Sequence, residues 1–157
     1  MNGLITATSP QFDENAMPFS IIEATWDEHE TELRALRERV FIIEQGVPEE
    51  SEWDGADSAA RHFLAFDADH QPVGCIRLLG NGQISRLCVI ETRRNNGIGG
   101  ALLVAAEEAA RGAGMNEIFL YAQTHATSFY ESAGFSASGG IFMDAHIPHR
   151  QMFKLLD

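Results

Sequence analysis

From Ile84 to Leu103 the chain reads ISRLCVIETRRNNGIGGALL, a short apolar run, a polar turn and the start of a helix. Glycines at 97, 99 and 100 remove side chains where a backbone has to come close to a ligand. The first-turn amides of the helix that follows have no intrahelical acceptor. Those N–H groups, at the positive end of the helix dipole, suit a diphosphate. Arg93 and Arg94 add positive charge at this turn in a chain whose formal net charge is -12, so the local sign opposes the global one. The glycines alone fit an ordinary strand-to-helix connection equally well, and it is the arginines that favour an anion. A dinucleotide-binding fold fails on spacing, because Leu102 stands where its third glycine belongs. Glu117, at the distance of the expected ribose-binding acid, begins a strand instead of ending one, and the chain does not open with βαβ.

A length of 157 residues with 45% hydrophobic content provides for one domain around one core. Residues 1–18, MNGLITATSPQFDENAMP, have neither a basic start nor a continuous apolar stretch, so they read as a flexible tail and not a secretory signal. That leaves 19–157 as the domain. No window approaches the roughly 20 apolar residues of a membrane span. With 23 acidic side chains against 11 basic ones, long-range repulsion argues against nucleic acid and anionic membranes as partners. Two cysteines make no disulfide framework, and the expected compartment is the reducing cytoplasm.

Phe19–Ala24 reads as a strand, and Thr25 with Glu28 has the capping spacing of a helix start. Leu33, Leu36, Val40 and Ile43 recur at helical intervals as the buried stripe, which leaves Arg34, Arg37 and Arg39 largely off it. Gly46 and Pro48 end that helix, and residues 49–60 form an acidic loop with at most one helical turn. Strands are expected over 61–67, 72–79 and 83–90. Read as a two-residue hairpin turn, Asn81 and Gly82 pair Gly80 with Gln83. The same register sets Arg77 opposite Arg86 and Cys75 opposite Cys88. A helix over 97–111, a strand over 117–122, a short helix over 124–133 and strands over 135–142 and 151–156 complete the order β, α, three strands, α, β, α, β, β.

Arg94, Gly97 and Gly99 form an RxxGxG signature that resembles motif A of the GNAT acetyltransferases. RLCV (86–89) looks like the family's fourth strand, and FYESAGF (129–135) is similar to its FYxxxGF motif. VFIIEQGVP (40–48), DGAD (54–57), AQ (122–123) and IPH (147–149) resemble the ElaA-like and YjcF-like branch, and the likeness spans about residues 20 to 156. The resemblance implies an α/β fold, a mixed twisted sheet with helices on both faces, whose fourth and fifth strands splay to admit the pantetheine arm of CoA. It also implies an N-acetyltransferase that moves an acetyl group from acetyl-CoA to a primary amine of a small molecule, by direct attack in a ternary complex. By position, the backbone of Leu87, Cys88 and Val89 would pair with pantetheine. Arg94, Asn95, Asn96, Gly97, Ile98 and Gly99, with Gly100 beside them, would hold the diphosphate. Gln123 departs from the asparagine of many members and keeps the amide chemistry with a longer reach.

In the implied reaction the amide near Val89 is the oxyanion donor, and Tyr130 resembles the family's general acid, with simple packing against CoA as its alternative role. An alkylammonium with a pKa near 10 must lose a proton before it attacks. Glu44 is the first candidate base, Glu52 and Asp54 are reserves and His149 is a further one, although each acid reads equally as a solvated surface group. Two arginines facing across a ladder repel unless an anion lies between them. That anion is either Glu44 or Asp54 in a structural network, or a carboxylate or phosphate on the acceptor. Arg77, Arg86, Glu52, Asp54 and His149 are therefore the candidate acceptor site. No metal site is expected, since Pro148 interrupts the only close histidine pair, His146 and His149. Two other functions stand beside the enzyme: an acyl-CoA sensor without turnover, and an acyl-homoserine-lactone-synthase-like acyltransferase. The latter would need a basic surface for an acidic carrier protein, which a net charge of -12 does not offer. Dimers are common in the family, so a homodimer is compatible with the resemblance.

Overall fold

The computed structural model describes Leu4–Ala7 and residues 17–157. Five strands pair antiparallel in chain order: β1 (Leu4–Ala7), β2 (Phe19–Ala24), β3 (Arg61–Asp67), β4 (Pro72–Leu78) and β5 (Ile84–Val89). Four residues of the expected tail thus belong to the sheet, with Leu4 opposite Ile22. Residues 1–3 and 8–16 of that tail lie outside the described residues. A second sheet has the order β6-β8-β7, from β6 (Glu117–Gln123), β7 (Ser136–Asp144) and β8 (Ile147–Leu155). β8 starts at Ile147 and not at 151, which brings His149 into the ladder opposite Gln123.

The two sheets meet at one point. Phe119 N donates to Gly82 O at 3.1 Å, and Gln83 bridges Phe119 in parallel. Beyond that point β5 and β6 carry no ladder between them and the sheet opens.

Helix α1 (Trp26–Arg37) begins where Thr25 Oγ1 accepts from Glu28 N at 3.2 Å, the cap read from sequence. It continues as a π-helical segment, Glu38–Glu44. The wider π turn adds a residue and shifts the helical phase. Ile43, expected on the buried stripe, is therefore turned to solvent at 73% exposure, while Phe41, Glu44 and Gln45 line the cleft described below. A single turn, α2 (Glu49–Glu52), follows in the acidic loop. Helix α3 (Ile98–Gly112) covers the opposite face of the sheet, with Leu102, Leu103, Ala105, Ala106 and Ala110 buried. A Cβ at Gly74 on β4 would lie 3.1 Å from Leu102 Cδ1 and 2.9 Å from Cys88 O, so the helix sits tightly on β4 there. Helix α4 (Thr127–Ser132) follows β6 and precedes the buried Phe135.

The β4–β5 hairpin corrects the expected register. Leu79 N donates to Gln83 O at 2.8 Å and Gly82 N to Leu79 O at 3.1 Å, which makes a three-residue loop. Arg77 consequently faces Ser85 and not Arg86. A bulge then places Arg86 and Leu87 across from Ile76 alone, with Arg86 at φ 57, and restores the expected pairing of Cys75 with Cys88. The two thiols lie 3.6 Å apart.

Candidate active site

The opening between β5 and β6 is a cleft of about 660 Å³. Its walls are the π-helical segment, β5, the end of β6, α4 and the β7–β8 turn. At its far end it adjoins a second hollow of about 460 Å³ over the turn into α3, lined by Arg93, Arg94, Asn95, Gly97, Gly99 and Gly100 among others.

Leu87, Cys88 and Val89 all line the cleft. Ile90 N bonds to Val73 O at 2.9 Å. In an antiparallel ladder the pairing alternates, so the N–H and C=O of Val89 point away from β4, toward the opening. The carbonyl accepts from Arg94 Nε at 2.9 Å.

The turn into α3 has Asn95 at φ 65 and Gly97 at φ 83, with Gly97 as N-cap and no side-chain cap. The first-turn amides are thus free of an internal acceptor, and such turns gather N–H groups into an anion-binding concavity. A Cβ at Gly97 or Gly100 would meet nothing within 4 Å, so the space in front of the turn is open. The residues fit a diphosphate. Asn96 is spent inside the turn, its Nδ2 donating to the carbonyls of Arg93 and Arg94.

Arg94 and Glu44 meet where both were expected to serve other groups. Arg94 Nη1 and Nη2 donate to Glu44 Oε2 and Oε1 at 2.7 and 2.8 Å. Those bonds hold the Glu44 carboxyl below its ordinary range, which makes it a poor base for an ammonium proton.

Arg77 is 2% exposed and does not reach the cleft. Its nitrogens donate to Asp54 at 2.9 and 2.8 Å, to Asp57 at 3.1 Å and to Ser85 Oγ at 3.0 Å, so four of its five N–H groups are committed inside the protein. Arg37, expected off the buried stripe, is 1% exposed and bonds Glu52 and Asp57 at 2.7 and 2.6 Å. Arg86 joins them, 2.9 Å from Glu52 Oε2 and 3.3 Å from Asp54 Oδ2. Three guanidiniums and three carboxylates thus cancel in one cluster. Asp54, not Glu44, is the anion shared by Arg77 and Arg86. Glu52 is buried within the cluster at the cleft wall, and Asp54 is committed to the arginines. Burial opposes charge on Asp57, but Arg37 and Arg77 outweigh it and its pKa is lowered. Sequence reasoning missed Arg37 and Asp57, and also His62, whose Nε2 lies 2.8 Å from Asp57 O at the edge of the cluster. The only trace was the acid spacing of EWDGAD (52–57).

Tyr130 lines the cleft, held edge-on by Phe129 and Phe135 at 5.0 and 5.9 Å between ring centroids. Burial pushes its phenol up to about 12. Gln123 spans the opening, its Nε2 donating to Gln45 Oε1 at 2.8 Å while its Oε1 lies 2.7 Å from His125 Nε2. His149 is buried at the cleft wall, stacked on Phe142 with centroids 5.9 Å apart. Its Nδ1 lies 2.7 Å from Ile147 O. A carbonyl only accepts, so Nδ1 carries a hydrogen, and in the neutral ring Nε2 is then the nitrogen with the lone pair. No described residue bonds Nε2.

A sheet parted beside an amide-lined turn, with one strand edge between, is the architecture of an acyltransferase. The chain belongs to the GNAT acetyltransferase family, whose acetyltransferase (GNAT) domain matches residues 25–156. It is 40% identical over 123 residues to the uncharacterized N-acetyltransferase YjcF of Bacillus subtilis, covering 76% of this chain and 87% of that one. The crystal structure of a Lactobacillus plantarum protein superposes with a TM-score of 0.80 at 26% identity, covering 88% of this chain and 98% of the other. Escherichia coli ElaA superposes with a TM-score of 0.77 at 28% identity, covering 85% of this chain and 98% of ElaA. The chain therefore lies in the YjcF and ElaA branch and is an acyltransferase.

Proposed function

We propose that the protein transfers an acetyl group from acetyl-CoA to the nitrogen of a small primary amine, in a ternary complex with no acyl-enzyme. The observation that carries this reading is the outer edge of β5 at Val89, which no strand covers, which faces the 660 Å³ cleft and which runs on to the open turn before α3. The thioester supplies an activated acetyl group. Leu87 and Val89 present backbone groups for the pantetheine amides, Cys88 turns its carbonyl toward Gly74 of β4, and the amides of residues 97–100 suit the diphosphate.

Each proton has a place in this reading. The Val89 N–H is a preorganised donor for the developing oxyanion. Tyr130, whose raised pKa keeps it protonated, gives its proton to the departing thiolate. His149 Nε2 takes the ammonium proton, a role that Glu44 loses to its ion pair. Cys88 is the cysteine in the cleft, and its hydrogen bond to Cys75 together with burial pushes its thiol up. A thiol so held is unsuited to carry an acyl group, which supports direct attack. The proposed compartment is the cytoplasm, where Cys75 and Cys88 stay reduced.

A thiol-release assay with acetyl-CoA across a panel of amines tests the reading. Amine-dependent release is expected, with Tyr130→Phe slower by on the order of 100-fold and its affinity for acetyl-CoA unchanged. Binding of acetyl-CoA without any release would instead make the protein a sensor.

A further inference from the structure

Consecutive residues of a regular strand point to opposite faces, yet Ser85 and Arg86 lie on the same one. Ser85 Oγ accepts from Arg77 Nε in the buried cluster. Arg86 reaches the same cluster at Glu52 and Asp54. Both also line the cleft. The cause is the bulge, where Arg86 takes a left-handed φ of 57 that an arginine seldom adopts. Bulges beside active sites re-aim side chains in this way.

The bonding of Arg86 is incomplete. Its Nη2 donates to Ser51 O, Glu52 O and Asp54 Oδ2 at 3.3, 3.1 and 3.3 Å. Nε faces Glu52 Oε2 at 2.9 Å but off the N–H axis, so that contact is Coulombic and not a hydrogen bond. Among the described residues Nη1 has no acceptor. Ser85, having accepted from Arg77, still has its own hydroxyl hydrogen to give. The cleft wall therefore offers two neighbouring donors, one on a cation that is short of partners.

We propose that Ser85 and Arg86 form an anion subsite and that the acyl acceptor is an amine bearing a carboxylate. This rests on the acetyl-transfer reading above and names its substrate class. One open guanidinium nitrogen and one hydroxyl match the two oxygens of a singly charged carboxylate. Glu52 and Asp54 already balance much of the Arg86 charge, which leaves too little for a phosphate dianion. A zwitterion also carries no net charge into a protein at -12. With its carboxylate on Arg86, the acceptor presents its ammonium group to the same cleft that holds His149 Nε2.

The experiment compares amino acids with their own amides as acceptors for the wild-type protein, by thiol release from acetyl-CoA. The acids should exceed the amides in kcat/KM by on the order of tenfold or more. Arg86→Gln should erase that preference through the acceptor KM while acetyl-CoA KM stays within about twofold. Arg86→Lys keeps the charge but loses Nη1, and should erase most of the preference even if the Gln variant does not fold. Amides accepted as readily as acids by an active wild-type enzyme would overturn the anion subsite and leave acyl transfer standing. Acetyl-CoA bound in calorimetry with no thiol release from either series would overturn both.

Discussion

Glu44 and Arg94 are joined by two parallel hydrogen bonds of 2.7 and 2.8 Å, and they belong to opposite walls of the cleft. Glu44 ends the π-helical segment, and Arg94 opens the turn into α3. The outer edge of the guanidinium is the one a diphosphate would use, so the carboxylate and the cofactor contend for it. Both side chains are about one-third exposed, at 35% and 36%, and such pairs contribute at most about 1 kcal/mol. Glu44→Gln should therefore bind CoA more tightly, by up to about fivefold in calorimetry. Pantetheine, which lacks the diphosphate, should bind both proteins equally. Weaker CoA binding by the variant would mean that Glu44 positions Arg94 for the cofactor.

The Arg37 cluster should respond differently, because burial changes what a lost partner leaves behind. At 1% exposure Arg37 neutralises Glu52 and Asp57 where water cannot. Arg37→Met would leave Arg77 and Arg86 alone to balance three carboxylates, and removing one partner of a buried pair costs about 3–5 kcal/mol. The outer pair of Arg61 and Glu23, 43% and 34% exposed, sets the contrast: Glu23→Gln should cost no more than about 1 kcal/mol. Chemical denaturation of the two variants checks the difference.

His62 ties that cluster to pH. Its Nε2 lies 2.8 Å from Asp57 O, so it donates from this nitrogen. Burial, with Arg37 and Arg77 adding to it, lowers its pKa. A histidine whose folded value is depressed contributes stability that is complete above its unfolded value of about 6.5 and is lost as pH falls below it. Asp54 and Asp57 are also depressed, and theirs is lost only below about pH 4. Unfolding free energy should thus decline between about pH 6.5 and 5. His62→Gln, which can still donate to Asp57 O, should flatten that part of the curve and leave the acid limb in place.

Most of the fold was legible because its signals are local. The Thr25 cap, the glycines before α3 and the short apolar runs of β3 and β4 each act over a few residues. Three features were not legible. Nothing in the letters around Arg86 announces a left-handed arginine, so the bulge was hidden, and Asn81 with Gly82 fits a two-residue turn as well as the three-residue loop that sets the partner of Arg77. Arginines are rarely buried unless paired, and the partners of Arg37 lie 15 and 20 residues further on. The π turn shifted the phase of Ile43 and Glu44 after the periodicity had been set upstream. At the site, the resemblance gave Tyr130 and the turn into α3. The open Nε2 of His149 needed the contact with Ile147 O, a matter of tautomer and not of sequence.

The apex of the cleft makes the last prediction. β5 and β6 join where Gly82 O accepts from Phe119 N, and divergence from that point gives the opening its shape. Gly82 has φ 91, and a Cβ there would stand 2.8 Å from the backbone oxygen of Glu117. Gly82→Ala therefore meets left-handed strain and a contact that only movement of β6 can relieve, together about 2–4 kcal/mol. Gly80, two residues earlier in the same loop, has no positive φ, and a Cβ there would meet nothing within 4 Å. Gly80→Ala should stay within about 0.5 kcal/mol of the parent. If the single junction sets the width of the opening, Gly82→Ala will lose CoA affinity as well as stability, and Gly80→Ala will lose neither. Calorimetry and thermal unfolding on the pair separate a hinge from a mere turn, because a turn whose strain stayed local would lower the unfolding temperature and leave CoA binding untouched.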